Sequence, residues 1–425
     1  MTAELKAQGV KLFSNDLEAV FLRRPNRFLI IAEDKNGREI PCHCPNPGRL
    51  IEFVFPGTRL ILEKRRSGAP AGGGPSAKTA YTAAGLYYHD GTTGKEVVVP
   101  LFSARANKAA EFLILRKIIP GIKEIQSEYA IGNSRFDFCC TDAEKRRHLV
   151  EVKACSLVEY GTAMFPDAPS ERALKHLEEL AVLSGEGYTC HVLFVIVHSA
   201  AGLFIPNLHT DPEFSAGLSR YGTAARPVKS AEGREAGPGG GPVLIHAALL
   251  RSDNQGNAVL ARASVPVDLS YGKLAESDKG SYLIILHLKE RKNIEAGSLG
   301  PIHFKAGWYV YAGSAMKNLK SRISRHQRKI RKQKHWHLDY LTAHAQTPIK
   351  ALPFLSRRNL ECELSAALAA LGGEAVRGGK SGPGFGASDC SAGCAAHLWY
   401  FAGPPMQNRA FVDLVLRYRH RDALR

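Results

Sequence analysis

Asp137, Glu151 and Lys153 have the types and the spacing that phosphodiester chemistry uses. The stretch Asn133-Ser-Arg-Phe-Asp-Phe-Cys-Cys140 leads through a charged turn, Asp142 to Arg147, into His148-Leu-Val-Glu-Val-Lys-Ala154. Both flanks read as strands, and period-two alternation puts Glu151 and Lys153 on one face of the second. A short turn brings Asp137 beside them. Two carboxylates held together repel, so they invite Mg²⁺ or Mn²⁺, hard cations that take oxygen ligands and keep several waters. A neighbouring lysine can orient or deprotonate such a water and stabilise charge on a phosphate. The plainer reading is an exposed Glu–Lys pair on a sheet face, worth about 0–1 kcal/mol. Lys175 and His176, on the helix that follows, are candidates for contact with the phosphate, and Arg135 could hold a phosphate or pair with Glu128.

A second constellation lies toward the C-terminus. Gly280-Ser-Tyr-Leu-Ile-Ile285 is followed by Gly307-Trp-Tyr-Val-Tyr-Ala-Gly-Ser-Ala315, then Arg322, His326, His335-Trp-His-Leu-Asp-Tyr-Leu341 and Glu361-Cys-Glu363. Cys390, Cys394 and His397, with His335 or His337, offer the donor types of a tetrahedral zinc site. Their spacing is loose, so we read them as free thiols in a satisfied interior, and zinc is not expected. Cys42, His43 and Cys44 alternate across a strand, which denies them a common ligand sphere.

Charge points to a polyanion. Lys and Arg number 57 against 40 Asp and Glu, a net charge of +17, and such an excess favours phosphate backbones. The run from Lys317 to Lys334 contains no acid, and its Leu319, Ile323 and Ile330 recur at helical intervals. One stripe can therefore face a core while Arg325, His326 and Lys329 face phosphates. Near the N-terminus, Arg23, Arg24, Arg27 and Arg49 with Phe28 supply the basic and stacking groups of a single-strand groove.

The elements that must position these groups change character along the chain. Short β-prone runs separated by turns fill Phe13 to Leu62, suggesting a small barrel. A helix over 104–118, two strands, a helix over 170–183 and a buried strand at 191–197 then signal an α/β layer. A hairpin around Asn254-Gln-Gly-Asn257 completes that sheet, and the boundary to the next domain falls between Tyr271 and Lys279. The expected organisation is multidomain, α/β and β: a barrel over 10–85, an α/β domain over 86–270 with a flexible insert at 223–242, and a second α/β domain over 275–405. Nine scattered cysteines, an odd number, read as reduced thiols. No apolar run approaches the ~18–20 residues of a membrane span, and the first thirteen residues lack a signal-peptide core. A soluble, cytoplasmic protein with no membrane partner is the expectation.

His43-Cys-Pro-Asn-Pro-Gly48, Ser134-Arg-Phe-Asp-Phe138, Val150-Glu-Val-Lys153 and Phe165-Pro-Asp-Ala168, followed by Glu171, Arg172, His176 and Leu177, resemble the sugar fermentation stimulation protein A family over most of residues 10–269. The resemblance implies an N-terminal OB-like barrel, a PD-(D/E)-x-K nuclease-like domain and DNA binding. It makes Asp137, Glu151 and Lys153 the nuclease triad, with Asp137 and Glu151 on the metal and Glu128 and Glu111 as further carboxylates. Residues 275–402 resemble a GIY-YIG-like domain of uncharacterised function. That likeness gives Tyr282, Tyr311 and Arg322 catalytic places and makes Glu361 or Glu363 a metal ligand, Glu363 being our assignment. The interval between Tyr282 and Tyr311 is longer than the usual motif spacing, and Ala312 replaces an Ile. The second domain is thus either a nuclease or a catalytically silent descendant that grips DNA. The expected function is a Mg²⁺-dependent (or Mn²⁺-dependent) endonuclease on DNA, with RNA as an alternative substrate and a homo-oligomer compatible. The competing class is a non-catalytic DNA-binding regulator. No constellation supports a sugar-metabolising enzyme.

Overall fold

The computed structural model describes residues 9–65, 79–90, 94–132, 134–225, 242–328, 334, 336–378, 384–388 and 390–420. The chain divides between Lys273 and Leu274 into two compact units.

In the first unit, a short strand β1 (Val10–Lys11) precedes β2 (Leu17–Asn26), β3 (Leu29–Glu33), β4 (Glu39–His43), β5 (Arg59–Lys64) and β6 (Tyr81–His89). The last five run in the order β4-β3-β2-β5-β6, and parallel pairing of Cys42 with Tyr81 and His43 with Thr82 closes them into a barrel. Phe21, Ile30, Leu60, Leu62 and Leu86 are buried within its core. The expected OB-like barrel is therefore present.

The hydrogen-bonded sheet does not stop there. Through β7 (Glu96–Pro100) it continues into a layer made of β8 (Glu124–Ile131), β9 (Ser134–Thr141), β10 (Arg147–Cys155), β13 (Thr189–Ile196) and β16 (Val243–Ser252), in the order β7-β16-β13-β10-β9-β8. Strands β11 (Val158–Glu159), β12 (Thr162–Phe165) and β14 (Leu203–Pro206) form a small side sheet, while β15 (Gly222–Ala224) and β17 (Asn257–Arg262) flank β16. Central β10, β13 and β16 are mutually parallel. Parallel strands covered on both faces read as continuous apolar runs, and Val192 to Ile196 are indeed all buried. The N-terminal strand β1 pairs with β17, Val10 opposite Ala258.

Helix α1 consists of Ala106–Ala109, a π-helical turn Ala110–Ile114 and Leu115–Ile118. Helix α2 (Glu171–Gly185) starts where the Ser170 hydroxyl accepts the Ala173 N–H at 3.2 Å, an N-cap that satisfies one orphan donor of the first turn. Ala173, Leu177, Leu180 and Ala181 recur on one face and are buried, the stripe that docks α2 on the sheet. Helix α3 (Pro212–Tyr221) is capped the same way by Asp211.

The second unit is built on a five-stranded sheet ordered β22-β18-β21-β24-β23. Its members are β18 (Gly280–Leu288), β21 (Gly307–Ala315), β22 (Lys350–Leu355), β23 (Glu374–Ala375) and β24 (Leu398–Phe401). Between β18 and β21 a separate hairpin, β19 (Lys292–Glu295) and β20 (Pro301–Phe304), accounts for the long interval from Tyr282 to Tyr311. Helices α4 (Leu319–Gln327), α5 (His337–Thr342), α6 (Glu361–Ala370) and α7 (Arg409–His420) complete the unit. Phe411, Leu414 and Val415 of α7 pack with Leu283 and Val310 in one core, so this unit runs past residue 405. Among the described residues no helix is long and apolar enough to cross a membrane.

Candidate nuclease site

The β9–β10 ladder runs from Thr141 opposite Arg147 to Phe138 opposite Val150 and then stops. Asp137, the next residue, puts its carboxylate where the ladder would have continued: its Oδ2 accepts the Val152 N–H at 2.7 Å. Its Oδ1 accepts from Asn107 Nδ2 of α1, also at 2.7 Å. On the other side the β8–β9 ladder omits Asp137 and its opposite number Glu128, whose φ of +54° is left-handed, uncommon for a residue with a Cβ. Asp137 is thus held by a break in both of its ladders.

Glu151 is 4% exposed. Its Oε1 accepts from Lys153 Nζ at 2.6 Å and from His176 Nδ1 at 2.7 Å. Arg172 Nε donates to the other ring nitrogen of His176 at 3.4 Å, which fixes the Nδ1–H tautomer. Burial pushes the Glu151 carboxyl up, but the hydrogen bond from His176 and the charge and bond of Lys153 outweigh it and hold the group below its ordinary range. Burial and the charge of Glu151 push Asp137 upward. The remaining oxygen, Glu151 Oε2, is buried without a hydrogen-bond partner. Such an orphan costs roughly 1–3 kcal/mol, and a hard divalent cation supplies what it lacks. The donor set fits Mg²⁺ or Mn²⁺: carboxylates from Asp137 and Glu151, with Lys153 alongside.

Ser134, Arg135, Glu171, Arg172, Lys175 and His176 line an open groove of ≈ 490 Å³. Lys175 and Arg135 are exposed there, pairing loosely with Glu179 (3.6 Å) and Glu128 (3.4 Å). His176 lines this groove but is buried, its ring turned to Glu151. Glu128 is displaced from its expected role, since its side chain is 62% exposed and bound to Arg135. Asn107, not Glu111 one turn further on, reaches Asp137.

In the barrel, Arg27 and Phe28 are exposed, the guanidinium 5.3 Å from the ring centroid, and Arg49 is exposed nearby in sequence. Arg24 instead braces the loop, donating to the carbonyls of Arg49, Arg27 and Asn46. The Pro45–Gly48 turn is an internal joint: a Cβ on Gly48 would sit 1.7 Å from Asp167 Oδ2.

The second unit gathers its tyrosines around an imidazole. Tyr282 lies opposite Gly313 and Tyr311 opposite Ile284 on adjacent strands. The two ring centroids are 6.5 Å apart, and His326 lies 5.6 and 6.3 Å from them. The Tyr282 hydroxyl is 3.0 Å from His326 Nε2, and His326 Nδ1 is 3.5 Å from Asp339 Oδ1. Fully buried Asp339 accepts from Arg325 at 3.1 Å and from the Trp336 N–H at 3.0 Å. His326 and Arg325, expected on phosphates, therefore belong to an internal chain. Their misplacement has a clear cause: the balancing acid comes from α5, outside the basic run. Lys329 lies outside the described residues. Arg322 stacks 4.7 Å from the Trp336 ring centroid. Burial dominates at Tyr282 and pushes its hydroxyl well above the ordinary range despite Arg322.

Glu361, not Glu363, faces this cluster. Glu361 Oε2 accepts from Ser314 Oγ at 2.6 Å, and Oε1 lies 3.0 Å from His397 Nδ1. Glu363 is committed to Arg358 at 2.8 Å. Cys362, which the sequence reading did not single out as a ligand, meets Cys390, Cys394 and His397. Backbone N–H groups of Cys394 and Ala392 draw the Cys390 thiol down to about 6.

A five-stranded OB barrel continued into a sheet bearing Asp137, Glu151 and Lys153 defines a PD-(D/E)-x-K nuclease-like protein, here joined to a GIY-YIG-like unit. Residues 22–99 match the SfsA N-terminal OB domain, 104–229 the sugar fermentation stimulation protein RE domain, and 281–419 a domain of unknown function, DUF123. A sugar fermentation stimulation protein homolog of Pyrobaculum neutrophilum is 34% identical over 206 residues, covering 48% of this chain and 82% of the relative. One from Methanothermobacter thermautotrophicus is 36% identical over 211 residues, covering 49% and 82%. The chain belongs to the sugar fermentation stimulation protein family. A solved structure of Pyrococcus furiosus SfsA in complex with Ca²⁺ aligns over 61% of this chain and 99% of its own, at 25% identity and a TM-score of 0.47.

Proposed function

We propose that the first unit is a divalent-metal-dependent nuclease that cleaves phosphodiester bonds in DNA. The observation that carries this reading is the buried, unpartnered Oε2 of Glu151, on a carboxylate whose other oxygen holds Lys153 and whose charge is felt by Asp137. Asp137 and Glu151 would hold Mg²⁺ or Mn²⁺, which when bound polarises the scissile phosphate and acidifies a water. His176, itself oriented by Arg172, and Lys153 keep Glu151 ionised and oriented, and Asn107 and the Val152 N–H orient Asp137 and oppose the upward push on its carboxyl. Lys153 places a positive charge where the attacked phosphate gains negative charge. Arg135 and Lys175 in the adjoining groove, with Arg27, Arg49 and Phe28 on the barrel, give the strand a basic track with a face for stacking.

The second unit is read as a grip on nucleic acid. Tyr282 is buried, engaged with His326 and held in its protonated form, so it is a poor base for activating water.

Cleavage of labelled single- and double-stranded DNA with Mg²⁺ or Mn²⁺ tests both readings, using wild type beside Glu151→Ala and Tyr311→Phe. Loss only in Glu151→Ala is the expected result. Loss only in Tyr311→Phe reverses the roles of the units. Binding without cleavage under every condition leaves a DNA-binding protein on inherited nuclease folds.

A further inference from the structure

We propose that Cys362, Cys390, Cys394 and His397 bind one Zn²⁺ in a closed tetrahedral site that braces the tyrosine cluster of the second unit. This stands apart from the nuclease reading of the first unit and survives its failure. The four candidate ligand atoms all lie within 4.8 Å of one another, and the Cys362 and Cys390 sulfurs are 3.5 Å apart. Zinc–thiolate bonds of ~2.3 Å at tetrahedral angles place sulfurs ~3.8 Å apart. The thiols need only small rotations to reach that geometry, and none is tied up in a disulfide. They also differ from the other six cysteines, all of which are buried; these three are half-buried and face one another.

The donor set selects the metal. Three thiolates and an imidazole suit Zn²⁺ rather than the hard cations fitted to Asp137 and Glu151. Four protein ligands leave no open coordination position, so the site is structural, and its binding energy becomes folding energy.

The surroundings supply the outer contact such a site uses. His397 Nδ1 lies 3.0 Å from Glu361 Oε1, which leaves Nε2 for the metal. A carboxylate on the second nitrogen of a ligating histidine fixes its tautomer and raises its basicity. The other oxygen of Glu361 accepts from Ser314 on β21. Cys362 stands in the first turn of α6, whereas Cys390, Cys394 and His397 come from the segment leading into β24. That same segment presents Gly386, where a Cβ would meet the Tyr311 ring at 2.8 Å. Zinc would therefore pin to α6 the loop that seats Tyr311, and would hold Glu361 against the tyrosine strands.

The test uses the full chain, purified under reducing conditions without added metal. Elemental analysis is expected to find about one zinc per chain. Exchange with Co²⁺ is expected to give sulfur-to-cobalt charge-transfer absorption and the intense visible bands of a tetrahedral thiolate site. Glu361→Gln keeps all four ligands and is expected to weaken zinc ~10–100-fold in chelator competition. Cys394→Ser is expected to abolish the thiolate spectrum. Because a ligand variant can fail to fold, the wild-type cobalt spectrum decides independently: absence of zinc together with absence of thiolate bands overturns the proposal. Zinc retained undiminished in Cys394→Ser overturns it too, by placing the metal elsewhere.

Discussion

The two units differ in how the polar groups of their candidate sites are engaged. Around Glu151, two neighbours, Lys153 and His176, satisfy one carboxylate oxygen and leave the other buried and unanswered. Around Tyr282, the hydroxyl meets His326, His326 faces Asp339, and Asp339 is bonded by Arg325 and the Trp336 backbone. The first leaves a carboxylate oxygen open to a cation; the second ties its tyrosine, imidazole and acid into contacts within the unit. The contrast lies less in which motif residues are present than in how their polar atoms are engaged.

That contrast can be broken most directly at Glu151. Glu151→Ala is expected to lower the cleavage rate on the order of 1,000-fold, with Tyr311→Phe close to wild type in the same gel assay. Equal losses in both variants would mean that the sites act together. Next in size is His176→Ala, expected to cost ~10–100-fold and to raise the Mg²⁺ concentration giving half-maximal rate, because it loosens the group that orients a metal-binding carboxylate. An unchanged metal requirement would reduce His176 to packing.

For the second unit, Gly313→Ala sharpens the claim that the tyrosine cluster is filled. The new Cβ would lie 2.6 Å from the Tyr282 phenol, and overpacking of that kind costs roughly 1–3 kcal/mol. All three tryptophans, Trp308, Trp336 and Trp399, belong to this unit. Tryptophan fluorescence during urea unfolding therefore reads it selectively, and an unshifted midpoint would show that the phenol has room to move.

The smallest expected effect is one of pH. In the first unit burial depresses His191, and it depresses His198 and His246 to about 4. An unfolded histidine takes a proton near pH 6.5; these folded ones refuse it until far lower. The unfolded state gains protons that the folded state lacks, so stability is full above pH 6.5 and falls as pH drops toward 4. In the second unit the depressed His420, at about 3, lies on α7 rather than on β18. Hydrogen exchange, corrected for intrinsic rates, should show peptides of β13 and β16 losing protection on acidification before those of β18. Equal losses would remove the pH distinction between the units.

Much of the first site was legible because it is local. Glu151 and Lys153 follow from strand alternation, and Asp137 from a short turn. Asn107 was not, since an asparagine at the start of a helix carries no signal that its amide will cross to another strand. In the second unit the basic run was read as a phosphate face because its own stretch contains no acid; Asp339, a helix away, is what draws Arg325 and His326 inward. Cys362 was overlooked for the same reason. A ligand set split between the start of one helix and a later loop has no fixed spacing to recognise.

The pairing of Val10 with Ala258 and Lys11 with Asn257 has a consequence for synthesis. The N-terminal strand leaves the ribosome long before its partner has been translated. At 5–20 residues per second, that partner follows roughly 10–50 s later. The barrel is complete in sequence by β6 and can close early, yet the edge that β1 must join does not exist until β17 emerges. Codon changes that slow translation between β6 and β17 should therefore prolong the exposure of β1 to proteases and chaperones, while leaving the finished protein unchanged.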